Sequence, residues 1–286
     1  MQQPPLSQQI KAIERELDVQ LFRRKARGVE LTAAGRALLD DCRAILANLD
    51  HAVETARRTA RGEQGRIRVG VTPTSPFHPF VPRVIRAFCE AFPQVSLALE
   101  ECISNELVER LQNEKMDAAF VRVSVADPEG LVSYSLLEEP MVIAAPTRRV
   151  QAWKTKGDDA VSLKALAGET FLGYGRSYGA APNGTAMYDT MIAACHAAGF
   201  SPRFGQQADR LASALNFVAA GLGICLVPAS VQRMNLDGVT YRRIKGAVRP
   251  KATLSLAVRG SDSSPVLRQF VNLVRRAAKD FSEHGD

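Results

Sequence analysis

Cysteine and histidine are scarce in this chain of 286 residues, which contains five cysteines and four histidines. No two cysteines have C-x-x-C spacing, and the histidines do not have the spacing of metal ligands. Dispersed cysteines among apolar neighbours are typical of reduced thiols in a cytoplasmic protein. No apolar run is long enough to cross a bilayer, and no secretory signal opens the sequence. These absences argue against a metal or cofactor site, a disulfide-stapled secreted domain and a membrane protein.

Positive charge is in moderate excess, and it is densest near the start of the chain. The net charge is +7, and residues 1–68 contain 13 Lys and Arg against 9 Asp and Glu. The segment RRKAR at 23–27 places four cations within five residues. This distribution favours a polyanionic partner.

The first thirty residues have the pattern of a helix followed by a basic hairpin. Apolar residues at 6, 10, 13 and 17 recur at helical spacing. The segment LFRRKARGVELT (21–32) predicts a short hairpin with Arg27 and Gly28 at its turn. A helix followed by a basic hairpin is the ending of a winged helix-turn-helix.

A long helix is predicted from the N-cap Thr32 to about Ala60. Its apolar residues alternate spacings of three and four over roughly three heptads, which favours a coiled-coil dimer over packing against its own domain. The residues of this seam are Leu39, Cys42, Leu46, Leu49, Val53, Ala56 and Ala60.

Beyond Arg66 the pattern changes to alternating strands and helices, which predicts an α/β region with parallel-rich sheets. The segments 131–146 and 239–260 do not fit this alternation. Both are long and extended, and they are candidates for strands that cross between two lobes. An amphipathic helix closes the chain.

Three segments resemble LysR-type transcriptional regulators. QPPLSQQIKAIERELDVQLFRRKARGVELTAAGRALL is similar to the second half of their DNA-binding domain. The second helix of the family's effector domain, together with the strand that follows it, is similar to EECISNELVERLQNEKMDAAFVR. A signature segment in the second lobe of that domain is similar to FVAAGLGICLVPAS. The resemblance runs from Gln3 to about Ala278.

The resemblance implies an α/β architecture in three parts. Residues 1–31 would be a partial winged helix-turn-helix, and residues 32–62 a linker and dimerisation helix. Residues 66–286 would be a two-lobed effector domain like a periplasmic binding protein. Its lobe I would comprise about 66–140 and 252–286, and its lobe II about 141–251.

Family members normally have two further helices before the point where this chain starts. We therefore expect an N-terminal truncation, for which a mis-called start codon is preferred to a trimmed chain or to a natural protein that no longer binds DNA. The segments QPPLSQQI and PNGT favour the branch that senses aromatic-catabolite acids such as benzoate or muconate.

Double-stranded DNA is the expected partner of the first thirty residues. Ser7 and Gln8 lie early on the exposed helix face, where side chains reach base edges. Wing arginines are expected to bind phosphates, although a basic turn alone is more often simply solvated. Gln3 and Pro4 match the family's helix-entry contacts. The predicted DNA-binding residues are thus Gln3, Pro4, Ser7, Gln8, Arg23, Arg24 and Arg27.

A small carboxylate effector is expected between the two lobes. The loop TPTSPFHPF offers Thr72, Thr74 and Ser75 before a helix, whose N-terminus suits an anion, although ordinary capping would explain one hydroxyl. Arg122 and Ser124 end a strand at the same sheet edge. Arg122 is expected either to pair with a carboxylate or to brace the hinge. The resemblance adds Asn183 and Thr185 from lobe II.

The sequence therefore predicts a transcriptional regulator without catalytic activity, which dimerises through its linker helix; the resemblance implies a tetramer. Two alternatives remain at this point. One is a cytosolic small-molecule-binding protein that has lost DNA binding. The other is a hydrolase using Ser177 of GRSYG, which matches a nucleophile elbow but lacks the helix that must follow directly.

Overall fold

The computed structural model describes residues 3–25, 28–122, 130–153, 159–174 and 186–284. The chain folds into two units, Met1–Ala60 and Arg61–Asp286. Across the described residues, no helix combines the length and apolarity needed to cross a membrane.

The N-terminal unit consists of a helix, a two-stranded hairpin and a long helix. In chain order these are α1 (Gln3–Leu17), β1 (Phe22–Lys25), β2 (Gly28–Leu31) and α2 (Ala33–Arg61). The strands pair antiparallel with Lys25 opposite Gly28, which confirms the predicted hairpin but places Gly28 in β2 and not at the turn.

Local hydrogen bonds explain how these elements join. Glu14 Oε1 accepts the backbone N–H groups of Leu21 and Phe22 at 2.8 and 3.0 Å, which ties the hairpin to α1. The backbone N–H of Gly35 donates to Thr32 Oγ1 at 2.9 Å, which confirms Thr32 as the N-cap of α2. Gly35 is required for packing, because a Cβ there would lie 2.1 Å from the carbonyl oxygen of Leu21.

The C-terminal unit contains two lobes that share one strand. The first lobe contains β3 (Gln64–Val71), α3 (Phe80–Ala91), β4 (Gln94–Glu101), α4 (Ser104–Gln112), β5 (Ala118–Val121), β12 (Lys251–Arg259) and α8 (Pro265–His284). The second contains α5 (Thr147–Ala152), β7 (Ala160–Ser162), β8 (Thr170–Tyr174), α6 (Ala186–Ala197), β9 (Arg203–Ala208), α7 (Leu211–Ala219), β10 (Cys225–Pro228) and β11 (Val239–Lys245). Strand β6 (Leu131–Pro146) belongs to both.

Strand β6 is the first crossing between the lobes. Its first part pairs with β12 as far as Pro140, opposite Lys251, and its second part pairs with β10 and β11 from Met141 onward. The segment 246–250 returns the chain from β11 to β12. Residues 239–260 are therefore two strands and not the single extended segment expected, since Gly246 turns the backbone with φ 105°.

The sheets are mixed in direction. Strand β3 is parallel to β4 and β5, β8 is parallel to β9, and β7 is parallel to β11. The strands on either side of β6 pair with it antiparallel. The parallel-rich expectation is thus right for the βαβ portions, while the strands around the crossings are antiparallel.

Each lobe buries an apolar core of its own. In the first lobe Phe270 of α8 packs edge-on against Phe88 of α3, with ring centroids 5.0 Å apart, and against Phe120 of β5. In the second lobe alternate residues of β6 serve two cores, with Ile143 in one and Val142 in the other. This alternation follows from the two-residue period of a strand.

Candidate DNA-binding and effector sites

The residues predicted to contact DNA lie on the exposed surface of the N-terminal unit where the structure describes their side chains. Ser7 and Gln8 are exposed on α1, and Arg23 and Arg24 are exposed on β1. Gln3 and Pro4 lie in the first turn of α1. Arg27 lies outside the described residues. Helix α1 and the basic strand β1 thus present polar and cationic groups to solvent.

Apolar side chains are also exposed in this unit. Leu6, Ile13 and Leu17 of α1 are exposed, as are the seam residues Leu46, Leu49 and Val53 of α2. Large apolar side chains at regular helical spacing mark surfaces that are suited to contact with another apolar surface.

Eight residues of the C-terminal unit meet at the junction of the lobes, and we name this set the inter-lobe polar cluster. Its members are Thr72, Thr74, Ser75, His78, Arg122, Glu139, Tyr174 and Ser230. The first five come from the first lobe, Glu139 from the crossing in β6, and the last two from the second lobe. All except the half-buried Ser230 are buried.

A buried ion pair holds the cluster together. Arg122 Nη2 lies 2.6 Å from Glu139 Oε1 and donates to the carbonyl oxygen of Thr74 at 3.3 Å. Glu139 also accepts the backbone N–H of Ser230 at 2.7 Å and its hydroxyl at 3.0 Å. One carboxylate therefore links a strand end of the first lobe to the 3₁₀ helix Ala229–Met234 of the second.

Several buried donors of the cluster remain unsatisfied. Among the described residues, Arg122 Nε, Arg122 Nη1, Thr72 Oγ1 and the Tyr174 hydroxyl have no hydrogen-bond partner. Burial raises the pKa of Tyr174, which keeps its hydroxyl protonated and able to donate. Unpaired buried polar groups are costly, so a group of them at one place points to a ligand that satisfies them.

His78 is held neutral at the edge of this cluster. Burial lowers its pKa, and the charges of Arg122 and Arg233 lower it further while Glu139 opposes them. Its Nδ1 accepts the backbone N–H of Phe80 at 3.3 Å. The imidazole also packs against Phe281 of α8, with ring centroids 5.6 Å apart.

The structure corrects the expected role of the loop after β3. Helix α3 begins only at Phe80, because a 3₁₀ turn at Ser75–Phe77 intervenes, so the hydroxyls do not stand at its N-terminus. The Ser75 hydroxyl donates to the carbonyl oxygen of Thr72 at 3.1 Å, and Thr74 makes no side-chain cap. Of this trio, Thr72 has a fully buried hydroxyl with no partner among the described residues.

Sequence reasoning placed some of these residues and missed others. Thr72, Thr74, Ser75 and Arg122 do come together, whereas Glu139, Tyr174 and Ser230 were missed. Glu139 has no local signal beyond lying in an extended segment. The expected Ser124, Asn183 and Thr185, as well as Ser177 of the hydrolase alternative, lie outside the described residues.

Comparison with protein-family models matches both units. Residues 1–36 match the bacterial regulatory helix-turn-helix protein of the lysR family, and residues 60–279 match the LysR substrate binding domain. The second match alone spans more than half of the chain.

Curated relatives match along nearly the whole chain. The HTH-type transcriptional regulator AlsR of Bacillus subtilis is 32% identical over 274 residues, which is 96% of this chain and 86% of that protein. The regulator TcbR of Pseudomonas sp. is 32% identical over 279 residues, covering 97% of this chain and 90% of that one. Both are named as transcriptional regulators and not as enzymes.

Solved structures show the same architecture. The crystal structure of CbnR, a LysR family transcriptional regulator, superposes with a TM-score of 0.80 at 29% identity, covering 96% of this chain and 91% of that one. Full-length CbnR complexed with its target DNA also gives 0.80, at 30% identity over 97% of this chain and 91% of that one. Full-length BenM gives 0.64 at 26% identity over 100% and 89%. These findings confirm the predicted fold, and they confirm the prediction of a transcriptional regulator over that of an enzyme. The chain belongs to the LysR family of DNA-binding transcriptional regulators.

Proposed function

We propose that this regulator binds double-stranded DNA through α1 and the β1–β2 hairpin, pairs through α2, and responds to a small carboxylate bound between its lobes. The carboxylate is an aromatic or muconate-like acid, and the regulator acts in the cytoplasm, where the DNA is. The observation that carries the effector proposal is the buried Arg122, which has unsatisfied donors beside an unsatisfied Thr72 hydroxyl.

The cation of Arg122 selects the class of ligand. Its guanidinium uses Nη2 on Glu139 and on the carbonyl oxygen of Thr74, which leaves Nε and Nη1 to donate. A charged guanidinium N–H makes a short, strong hydrogen bond to a carboxylate oxygen. A ligand carboxylate beside Arg122 would therefore gain charge-assisted hydrogen bonds, and the hydroxyls of Thr72 and Tyr174 would supply more.

The apolar surroundings favour an acid with a hydrophobic body. Tyr174 belongs to the same core as Leu172 and Val227 of the second lobe, and Phe77 packs against that core from the first lobe. An aromatic or unsaturated acid would place its carboxylate on Arg122 and its carbon skeleton against these side chains. Binding can then shift the regulator only by favouring one arrangement of the lobes over another.

The effector test uses thermal unfolding of the full chain with benzoate, cis,cis-muconate and their amides as neutral analogues. We expect one acid to raise the melting temperature and its amide to have no effect. Thr72→Val removes an unsatisfied buried hydroxyl, so it should leave stability unchanged or raised while it reduces the ligand-induced shift. Thr147→Val is the matched control, because that hydroxyl bonds Thr240 outside the cluster. An acid-induced shift that survives Thr72→Val combined with Arg122→Gln would reject this site.

The DNA test uses the dependence of affinity on salt. Each arginine bound to a phosphate contributes about 0.9 to the slope of log affinity against log salt concentration. Arg23→Gln with Arg24→Gln should therefore flatten the slope measured on a random-sequence duplex by about 1.8. Arg86→Gln, which removes an exposed arginine of α3, is the control. An unchanged slope in the double variant would remove the wing from the interface.

The proposed pairing surface is the exposed seam of α2, where Leu46, Leu49 and Val53 recur on one face. Two copies of this seam can bury each other's leucines as a coiled coil does. A tetramer, which the family resemblance implies, would need additional contacts from the C-terminal unit. Sedimentation of the full chain over a range of concentrations distinguishes monomer, dimer and tetramer.

A further inference from the structure

A second contact joins the two lobes, outside the inter-lobe polar cluster. Glu101 is the last residue of β4 in the first lobe, and Arg210 immediately precedes α7 in the second. Their side chains form an ion pair, in which Glu101 Oε1 lies 3.7 Å from Arg210 Nη1. We name this contact the rim pair.

The rim pair lies far from the strand that joins the lobes. In the order β4-β3-β5-β12-β6, strand β4 is four positions from β6, whereas β5, which Arg122 follows, is two positions away. Since neighbouring strands are about 4.8 Å apart, Glu101 lies roughly 19 Å from β6, and the end of β5 roughly 10 Å. A rotation of the lobes about the crossing separates two atoms in proportion to their distance from it. Opening the lobes therefore stretches the rim pair more than the Arg122–Glu139 pair.

Water and salt reach the rim pair. The side chains of Arg210 and Glu101 are 72% and 47% exposed, whereas those of Arg122 and Glu139 are 1% and 8% exposed. Exposed charges are screened by salt, and an exposed ion pair changes an equilibrium by at most about fivefold. Such a change is large enough to shift the balance between two arrangements of similar free energy.

The chemistry of helix α7 alone does not explain Arg210. This residue is the N-cap of α7, and its side chain makes no capping hydrogen bond. Small polar and acidic residues are preferred at an N-cap, and the helix dipole disfavours a cation there. Among the described contacts, the one that favours a cation at this position is the carboxylate of Glu101 in the other lobe.

We propose that the rim pair is an electrostatic latch, which holds the lobes closed at the outer end of the cleft and releases them as ionic strength rises. The buried Arg122–Glu139 pair holds the inner end, where salt screens charges much less. The consequence for the effector rests on the proposed function: an acid bound at Arg122 leaves more slowly while the latch is closed.

The first test measures the separation of the lobes in the full chain without any ligand. Spin labels carried by p-acetylphenylalanine replace two exposed residues, Gln112 of α4 and Ser213 of α7, so that the native cysteines are not used. Pulsed electron resonance on labelled chain diluted with unlabelled chain gives the distance within one chain. High salt should increase the ratio of long to short distances by up to about fivefold. An unchanged ratio at high salt would overturn the latch.

Charge reversal tests the rim pair directly. Glu101→Arg and Arg210→Glu should each lengthen the distance at low salt, because two like charges then face each other. The variant that combines both restores the attraction and should restore the distance, which would not happen if the single variants were misfolded. Glu90→Arg is the matched control, since it reverses the acid of an exposed ion pair within α3. Unchanged distances in the single variants, or no recovery in the combined variant, would contradict the proposal.

A second measurement separates the latch from the proposed effector. Surface plasmon resonance on the immobilised full chain gives the dissociation rate of benzoate or cis,cis-muconate. Either acid, if bound, should dissociate several-fold faster from Glu101→Arg, and the combined variant should return to the original rate. If neither acid binds while the distances respond as expected, the proposed effector fails and the latch stands. If an acid binds and its dissociation rate is the same in Glu101→Arg, the rim pair does not control the cleft and the proposal fails.

Discussion

Helices α2 and α8 both have an apolar stripe of helical period, but the stripe of α8 is buried and the stripe of α2 is exposed. In α8 the stripe is buried, with Phe270 and Val274 both 0% exposed. In α2 the seam residues Leu46 and Leu49 are 60% and 57% exposed. The first stripe completes a core within its own unit, while the second faces outward.

This contrast extends to the two units as wholes. Among the described residues of the N-terminal unit, Leu21 is the large apolar side chain that is buried, whereas the C-terminal unit holds four apolar clusters. Apolar periodicity therefore indicates a helix and a face, but not which surface covers that face. The C-terminal unit supplies its own covering surface, and the exposed seam of α2 is suited to a second copy.

The largest expected effect is in the buried stripe. Phe270→Ala removes a ring that packs against Phe88 and Phe120, and it should lower the free energy of unfolding by about 3–5 kcal/mol. Urea denaturation followed by circular dichroism measures this change. A loss below about 1 kcal/mol would mean that α8 does not complete the core, and the contrast with α2 would disappear.

The exposed stripe should respond in the opposite way. Leu46→Ala with Leu49→Ala should change the unfolding free energy of the isolated chain by no more than about 0.5 kcal/mol. The same variant should raise the dimer dissociation constant at least tenfold, measured by sedimentation equilibrium, because each leucine contributes about 1.5–3 kcal/mol when buried. Ile45→Ala, an equally exposed residue beside the seam, should have a smaller effect. Unchanged association in the double variant would exclude the seam as the pairing surface.

Burial of His78 in the C-terminal unit should make the free energy of unfolding depend on pH. The pKa of His78 is lower in the folded chain than in the unfolded chain. As the pH falls below 6.5, the unfolded chain therefore takes up a proton at this residue at a higher pH than the folded chain does. The unfolding free energy should therefore fall as pH drops through 6.5, by at most about 1.4 kcal/mol per pH unit from this group. His78→Gln should reduce that slope, while His196→Gln, which removes an exposed histidine of the same unit, is the control. If His78→Gln had the same slope as the unmodified chain, the imidazole of His78 would have to be solvated in the folded protein.

The smallest expected effect concerns the hairpin of the N-terminal unit. Gly28 has φ 103° with open space where a Cβ would stand, so Gly28→Ala adds conformational strain without a clash. We expect a loss of about 1 kcal/mol in hairpin stability. Gly168→Ala is the matched control, since it also meets open space but has no such φ. Equal stability of the two variants would show that the hairpin does not fix this conformation.

The sequence predicted those elements whose signals are local. The spacing of Leu6 to Leu17 indicated α1, Thr32 indicated the start of α2, and a basic turn between apolar residues indicated the hairpin. These patterns depend on neighbours within one or two turns of chain. They were read correctly because side-chain period and capping chemistry act over the same short distance.

Contacts between distant segments had no such signal. Arg122 was placed at a strand end, but its partner Glu139 could not be identified, because the pairing depends on where β6 crosses between lobes. The loop of Thr72 was assigned to a helix N-terminus, and the intervening 3₁₀ turn was not foreseen. The direction of strands around β6 was missed for the same reason, since register is determined by tertiary packing.

Strand β12 has a consequence for how this protein is made. It lies between β5 and β6 in the sheet, although it follows β6 by more than a hundred residues in the sequence. During synthesis the edges of β5 and β6 that pair with β12 therefore lack their partner strand until residues 251–259 have left the ribosome. The lobe that is begun first is the last to be finished, and a nascent chain that stops before residue 251 would present two open edges to other chains.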